Sequence, residues 1–384
     1  MTSEDWVAFA SEGRIGFIRP DGTGEHYLEL DVPDQISWQL GPAFADGHHV
    51  ILHSYEEGKS WEGTATSHVW LYDLASGHLE EILTSARLSH YIICSALLPG
   101  EHSVIINPLM PLGARKWEQR VYTCALDGSD ARAITQPGEG FAYGISLSPE
   151  GQRLAFHILG ETYAIETYDL VSDTRHTVAR HPDHLYFGPV WSPDGTWLAY
   201  QDCRFRVDPG HDWADLCIGR PNGSEHRAVT VESRQWFGTS FGNAERRGGG
   251  SNSVVWSPDG KALTYTRALP GTRLAWPFQP QRPDTDHFNR DYRPELARGG
   301  TQICLLDPFR GGVRELTEAV PHQWDFRPVW SPDGRQITFS RAHTATMPEL
   351  WIVDTQSGDA HRLTSGSGHH GADFARWLRV ETRS

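Results

Sequence analysis

The chain has 384 residues with 34 basic against 49 acidic side chains, a formal net charge of −15, and no run of like charge; the basic stripe of a nucleic-acid binder is therefore excluded. No stretch approaches the roughly 18 consecutive apolar residues of a membrane span, and the opening MTSEDWVAFASEG has no basic segment followed by an apolar one, so neither a span nor a secretory signal is expected and the cytoplasm is the expected location. Apolar residues at 38% together with 38 glycines exclude a disordered chain. The five cysteines are dispersed without a CxxC pair and read as reduced core thiols. The 24 prolines, 38 glycines and 15 tryptophans point to many turns and large aromatic fillers, hence an all-β body.

In chain order, WVAFAS (6–11) and RIGFIRPDGTG (14–24) read as the second and third strands of a unit that lacks its first. Weak copies of one pattern follow as GPAFADGHHVIL (41–52), CSALLPGEHSVII (94–106) and GISLSPEGQRLAF (144–156). Three nearly identical copies then stand at GPVWSPDGTWLAY (188–200), SVVWSPDGKALTY (253–265) and RPVWSPDGRQITF (327–339). Each continues into a third strand ending near an Asp turn, such as YAIETYDLVSD (163–173) or LWIVDTQSG (350–358), and often a fourth with an LT-like end. Alternating apolar positions predict half-buried strands, S-P-D-G a tight turn, and the preceding Trp a filler between sheets. One such meander cannot bury both faces alone; a ring of them can.

Six units open near residues 36, 90, 141, 185, 250 and 325, and ADFARWL (372–378) supplies the first strand missing at the N-terminus. The expectation is a seven-bladed β-propeller of four-stranded blades spanning 1–384 as one domain. Its ring is closed by the N- and C-terminal strands sharing one blade, which removes free sheet edges.

Regularity fails in the second half. Pro149 and Pro193 are 44 residues apart, but Pro193 and Pro258 are 65 apart and Pro258 and Pro332 are 74 apart. The added length falls in 201–216, 235–252 and 269–300. In a four-stranded blade the loop between strands two and three and the approach to strand one emerge on the same face, so all three insertions are expected on one rim around the central mouth. Residues just before each first strand are polar or aromatic there, among them His90, Tyr91, Phe141, Tyr143, His184, Tyr186, Asn252, Asp325 and Arg327, which makes the mouth the candidate pocket.

Several residue sets carry chemistry. DPGHDWADL places Asp208, His211, Asp212, Trp213 and Asp215 in one loop, where His211 with Asp212 suits an acid/base pair or a cation site and Asx-turns with a Trp213 anchor are the plainer reading. RPDTDHFNRDYRP gathers Asp284, Asp286, His287, Asn289 and Asp291; these donors suit Ca²⁺ or Mn²⁺, without the turn glycine and closing Glu of a calcium loop. Arg246 and Arg247 before three glycines suit a carboxylate or phosphate, with Arg327 and Arg298 as further anion partners. His184 and Tyr186 alternate on one strand and suit proton transfer in uronate β-elimination. Packing of the channel wall is their plainer role. Trp61, Trp236 and Trp276 lie in loops, where aromatic faces suit sugar stacking or simple anchoring.

The WSPDG copies at 191–195, 256–260 and 330–334 resemble the PD40 repeat of TolB-like propellers over essentially the whole chain. That resemblance implies the fold; its members include binding proteins, peptidase propeller domains and polysaccharide lyases. The ring is also similar to cytoplasmic oligogalacturonate lyases, which hold Mn²⁺ with His and Gln and cleave uronates by β-elimination. Matched onto this chain, that family's catalytic His falls at Ser253, its loop Arg near Asp215 and a metal His near Arg327; its C-terminal His cluster has His369 and His370 as an approximate counterpart. The departures leave that active site unmatched, and the rhamnose–glucuronate lyases are an equal alternative without a residue match. The function expected is binding, with lyase-type cleavage, of an anionic saccharide at the mouth: His184, Tyr186 and His211 transfer protons, and Arg246, Arg247, Arg327, Asn252, Asp212, Trp236 and His287 bind substrate. A divalent cation, Mn²⁺ or Ca²⁺, is an open cofactor expectation. The rival is a non-catalytic propeller that binds a peptide or protein.

Overall fold

The computed structural model describes residues 2–56, 66–85, 89, 91–112, 116–204, 213–231, 235, 238–243, 247–282, 290–344, 346–365 and 371–382. Among the described residues seven antiparallel blade sheets follow one another along the chain, joined by one two-stranded sheet between blades four and five. Blade one opens with Gln35–Ala43, blade two with Ile92–Leu97, blade three with Phe141–Leu147 and blade four with Leu185–Trp191. Blade five opens with the short Val255–Trp256 and blade six with Gln323–Trp330. Blade seven takes its first strand, Asp373–Thr382, from the C-terminus and its second, Thr2–Ser11, from the N-terminus. These two pair antiparallel, Val7 opposite Trp377 and Ala8 opposite Arg376, so the ring is closed as the sequence predicts. No helix among the described residues is long and apolar enough to cross a membrane.

The repeat letters have visible work in this fold. In the fourth blade the Ser192 hydroxyl donates to Asp194 Oδ1 (2.6 Å) and accepts the amide of Trp197 (3.0 Å), while Gly195 takes φ +68° to close the turn. The copies at Ser257 and Ser331 repeat both bonds. Trp191 Nε1 donates to the carbonyl of Ser146 in the preceding blade at 3.0 Å, and Trp256 Nε1 to that of Val190 at 3.2 Å. The LT ends cap third strands: hydroxyls of Thr135, Thr230, Thr317 and Thr364 accept the amides of Val121, Leu216, Ile303 and Leu350.

Burial departs from the expected alternation. All six residues of Leu198–Cys203 and of Ala214–Gly219 are buried, whereas the fourth strands His226–Ala228, Val313–Glu315 and Ala360–Arg362 are exposed throughout. The reason is stacking: a middle strand meets a neighbouring sheet on each side, so successive residues enter different apolar clusters. Ala199 packs toward blade five while Tyr200 packs toward blade three.

Strand register fixes the mouth. Leu185 pairs with Cys203 and Cys203 with Ala214, so the start of a first strand and the loop between strands two and three share one end of the blade. At that end Phe241, Leu274, Trp324, Phe326 and Ala342 form an apolar cluster, with Trp213 and Ala297 against it. Residues from all three insertions thus pack over blade six. The glycine run of the second insertion is a strand, Arg247–Ser251, paired with Gly238–Gly242.

Candidate functional site

His184 and Tyr186, two residues apart at the start of the innermost strand of blade four, meet as a side-chain pair: the Tyr186 hydroxyl lies 3.3 Å from His184 Nδ1. The same nitrogen lies 2.9 and 3.1 Å from the two carboxylate oxygens of Asp202, which the second strand holds directly opposite Tyr186. With an ionised Asp202, the proton of the neutral ring sits on Nδ1, and Nε2 is left as the basic atom. His184 keeps partial access to solvent, while Tyr186 is 6% exposed. The His181 ring lies 4.2 Å from that of His184, from the end of the outermost strand of blade three. The cluster therefore occupies the mouth end of the groove between blades three and four.

Among the described residues two carboxylates and one guanidinium surround it. Asp215 pairs opposite Asp202 on the third strand and accepts from the Thr230 hydroxyl at 3.2 Å. Burial pushes the Asp202 carboxyl up against the pull of His184, with Asp215 adding to the rise. Burial, reinforced by Asp202, also pushes the Tyr186 phenol above its ordinary value, so it stays protonated. Among the described residues a nearby cation is Arg204, half-exposed and 3.7 Å from Asp215.

Beside this group runs a belt of polar side chains that the sequence reading did not single out. His53, Asn107, His157 and Gln201, all on second strands, cross to the innermost strand of the next blade. His53 Nε2 accepts from the Cys94 amide at 3.0 Å and His157 Nδ1 from the Gly188 amide at 3.3 Å. Asn107 and Gln201 donate to the carbonyls of Ala142 and Asn252 at 3.3 and 2.8 Å. Aromatic rings line the same wall: Phe141 and Tyr143 stack at 5.9 Å, Tyr143 and His157 follow at 5.6 Å, and His157 meets Phe187 edge-on at 6.3 Å.

Two expected binding residues are internal. Arg327 is buried, its Nη1 donates to Asp373, and its guanidinium lies 3.7 Å over the Phe374 ring. It holds a carboxylate of the protein itself across the blade six–seven junction, so its assignment to a substrate carboxylate is corrected. Asn252 is fully buried, and its Oδ1 accepts the Arg327 amide at 2.8 Å while its carbonyl accepts from Gln201 and Gln235, so that it joins blades. Arg327 also stands two blades along the ring from His184. Arg298 lies in the third insertion, its backbone bridged to that of Arg273. His211, Asp212, Trp236, Arg246 and His287 lie outside the described residues, as do His90, Trp61, His369 and His370; of Arg247 the backbone alone is described. Among the described residues no three His, Cys, Asp or Glu side chains converge to hold a metal. All five cysteines are buried.

Asp202 is the member of the cluster missed in the sequence. The signal was present, because repeats five and six carry Arg267 and Arg341 at that register and blade four carries an acid. Arg341 there makes a bidentate pair with the buried Asp325, at 2.6 and 2.8 Å.

No family model matches the chain. A stretch of it is 29% identical over 175 residues to a Bacillus subtilis protein named uncharacterized peptidase YuxL, covering 43% of this chain and 23% of that protein; the matches span less than half the length of the curated relatives. Among solved structures, a puromycin hydrolase superposes with a TM-score of 0.60 at 16% identity, over 94% of this chain and 52% of that one. An oligogalacturonate lyase in complex with manganese superposes with a TM-score of 0.57 at 14% identity, over 94% of this chain and 84% of that one. At these identities the likeness is one of fold. The chain is a seven-bladed β-propeller related in fold to the oligogalacturonate lyases.

Proposed function

We propose that the chain binds an acidic saccharide at its mouth and cleaves it as a carbon–oxygen lyase, by β-elimination beside a uronate carboxylate. The observation that carries this reading is the continuous Tyr186–His184–Asp202 contact. Asp202 orients the ring so that Nε2 takes the proton from C5, the C5–H electrons form the C4=C5 double bond, and the C4–O4 bond breaks. The Tyr186 phenol, kept protonated by burial, donates to the leaving oxygen; the imidazolium then returns its Nδ1 proton to Tyr186, and loss of the Nε2 proton to water with re-protonation of Nδ1 restores the starting tautomer. Arg204 supplies the positive charge that the substrate carboxylate needs, and the aromatic wall from Phe141 to Phe187 offers faces for sugar rings.

The test is the ultraviolet absorbance of an unsaturated uronate over a panel of acidic oligosaccharides, with and without Mn²⁺ or Ca²⁺. Turnover is expected with at least one of them, and His184→Gln and Tyr186→Phe are each expected to lower kcat by about 10²–10⁴-fold with the melting temperature unchanged. Absence of signal throughout rejects the lyase and leaves the peptide- or protein-binding propeller.

A further inference from the structure

The sequence points to arginines at the mouth for anion binding, and the structure turns attention to a different one. Arg376 lies on the innermost strand of blade seven, three residues beyond Asp373 and so about 10 Å further down the channel wall. Its guanidinium crosses to blade one, where Nη1 donates to the carbonyl of Gly41. Three other largely buried guanidinia have carboxylate partners: Arg120 has Glu118, Arg327 has Asp373 and Arg341 has Asp325. Among the described residues no carboxylate pairs with Arg376, although burial disfavours its charge. An arginine does not escape this by losing its proton, and a desolvated charge without a partner is costly.

His53 stands beside it. Its Nε2 is occupied by the Cys94 amide, which puts the ring proton on Nδ1. Burial, with Arg376 adding, pushes its pKa down to about 4, so the ring is neutral near pH 7 and offers a single N–H. Among the described residues nothing accepts from His53 Nδ1 or from Arg376 Nε and Nη2. Gly41 leaves the room between them, since a Cβ there would stand 2.8 Å from His53 Cε1.

We propose that Arg376 and His53, with Gly41 between them, form an oxyanion site in the channel wall at the junction of blades seven and one. A carboxylate or a phosphate group has the charge and the acceptors to take both the guanidinium fork and the imidazole N–H. The site is separate from the His184 cluster and stands or falls independently of the lyase reading.

Thermal melting and titration calorimetry at pH 7.5 test it, with inorganic phosphate, acetate and chloride as probes at constant ionic strength. The wild-type chain is expected to show saturable binding and a raised Tm with phosphate or acetate and none with chloride. Response to phosphate alone assigns the site to phosphate groups, and response to acetate alone to carboxylates. Arg376→Met is expected to fold, since it removes an unpaired charge, and to lose the saturable response. His53→Gln, which retains an acceptor for Cys94, and Arg376→Lys, which keeps charge without the fork, are each expected to weaken binding about tenfold. An unchanged response in these variants means an adventitious ion only and overturns the proposal, as does a wild-type chain that responds to neither oxyanion.

Discussion

Two histidines of the polar belt set how the chain responds to acid. Burial holds His53 at a pKa of about 4 and His157 at about 3, both below the unfolded value near 6.5. Between those limits the unfolded chain takes up protons that the fold refuses, so their contribution is complete above about pH 6.5 and is lost as pH falls toward 4. Each is expected to account for about 2 kcal/mol of lost stability at pH 5 relative to pH 8. Urea titrations over that range should show a slope that His53→Gln and His157→Gln each reduce by one proton; a slope unchanged in both would refute the assignment. The His184–Tyr186 pair was legible from its alternation on one strand. Asp202 was not, because its role depends on a cross-strand neighbour 18 positions away in sequence, and a pattern read along one strand does not contain its partner.

The repeated elements are nearly alike, and the place where they differ is informative. Trp191 and Trp256 bind a carbonyl of the preceding blade, and Trp377 Nε1 donates to the Thr338 hydroxyl at 3.1 Å. Trp330 Nε1 is buried without such a bond. It lines a cavity of about 440 Å³ between blades five and six with Lys261, Arg314 and Asp333. Removing the indole N–H at 191 strands an acceptor, whereas at 330 it removes an unsatisfied donor. Trp191→Phe is therefore expected to cost about 1–2 kcal/mol more in urea unfolding than Trp330→Phe; equal losses would show that packing alone sets the role of both rings. A further break in the repeat is conformational. Gly144 and Gly188 occupy positive φ at a bulge of the first strand, and Arg327 and Phe374 adopt φ +51° and +53° at the same place in blades six and seven. The Arg327–Asp373 pair and the Phe374 ring beneath it hold a backbone state that costs about 1–2 kcal/mol for a side-chain-bearing residue.

At the scale of the ring, stability depends on closure. The C-terminal strand buries Ala375 and Leu378 against neighbouring blades and covers the edge of Thr2–Ser11. A chain ending at residue 371 is expected to expose that edge and the apolar Val7, Ala8 and Phe9. Calorimetry should then show loss of the single cooperative transition, and light scattering should show self-association through the open strand. A monomer that melts as the full chain does would show that six blades hold without the seventh being complete.

The sequence by itself determined the number of blades, the shared seventh blade and the logic of the SPDG turns, because each is written in contacts a few residues long and repeated around the chain. Only the tertiary structure decided which polar groups meet. Arg327 and Arg376 look equally available as letters; one is matched with Asp373, and the other reaches the Gly41 carbonyl with no carboxylate partner among the described residues. Alternation predicted half-buried strands, and stacking on both sides buried Leu198–Cys203 and Ala214–Gly219 completely. These outcomes depend on which blade lies beside which and how far each side chain reaches, quantities set by packing between residues far apart in the chain.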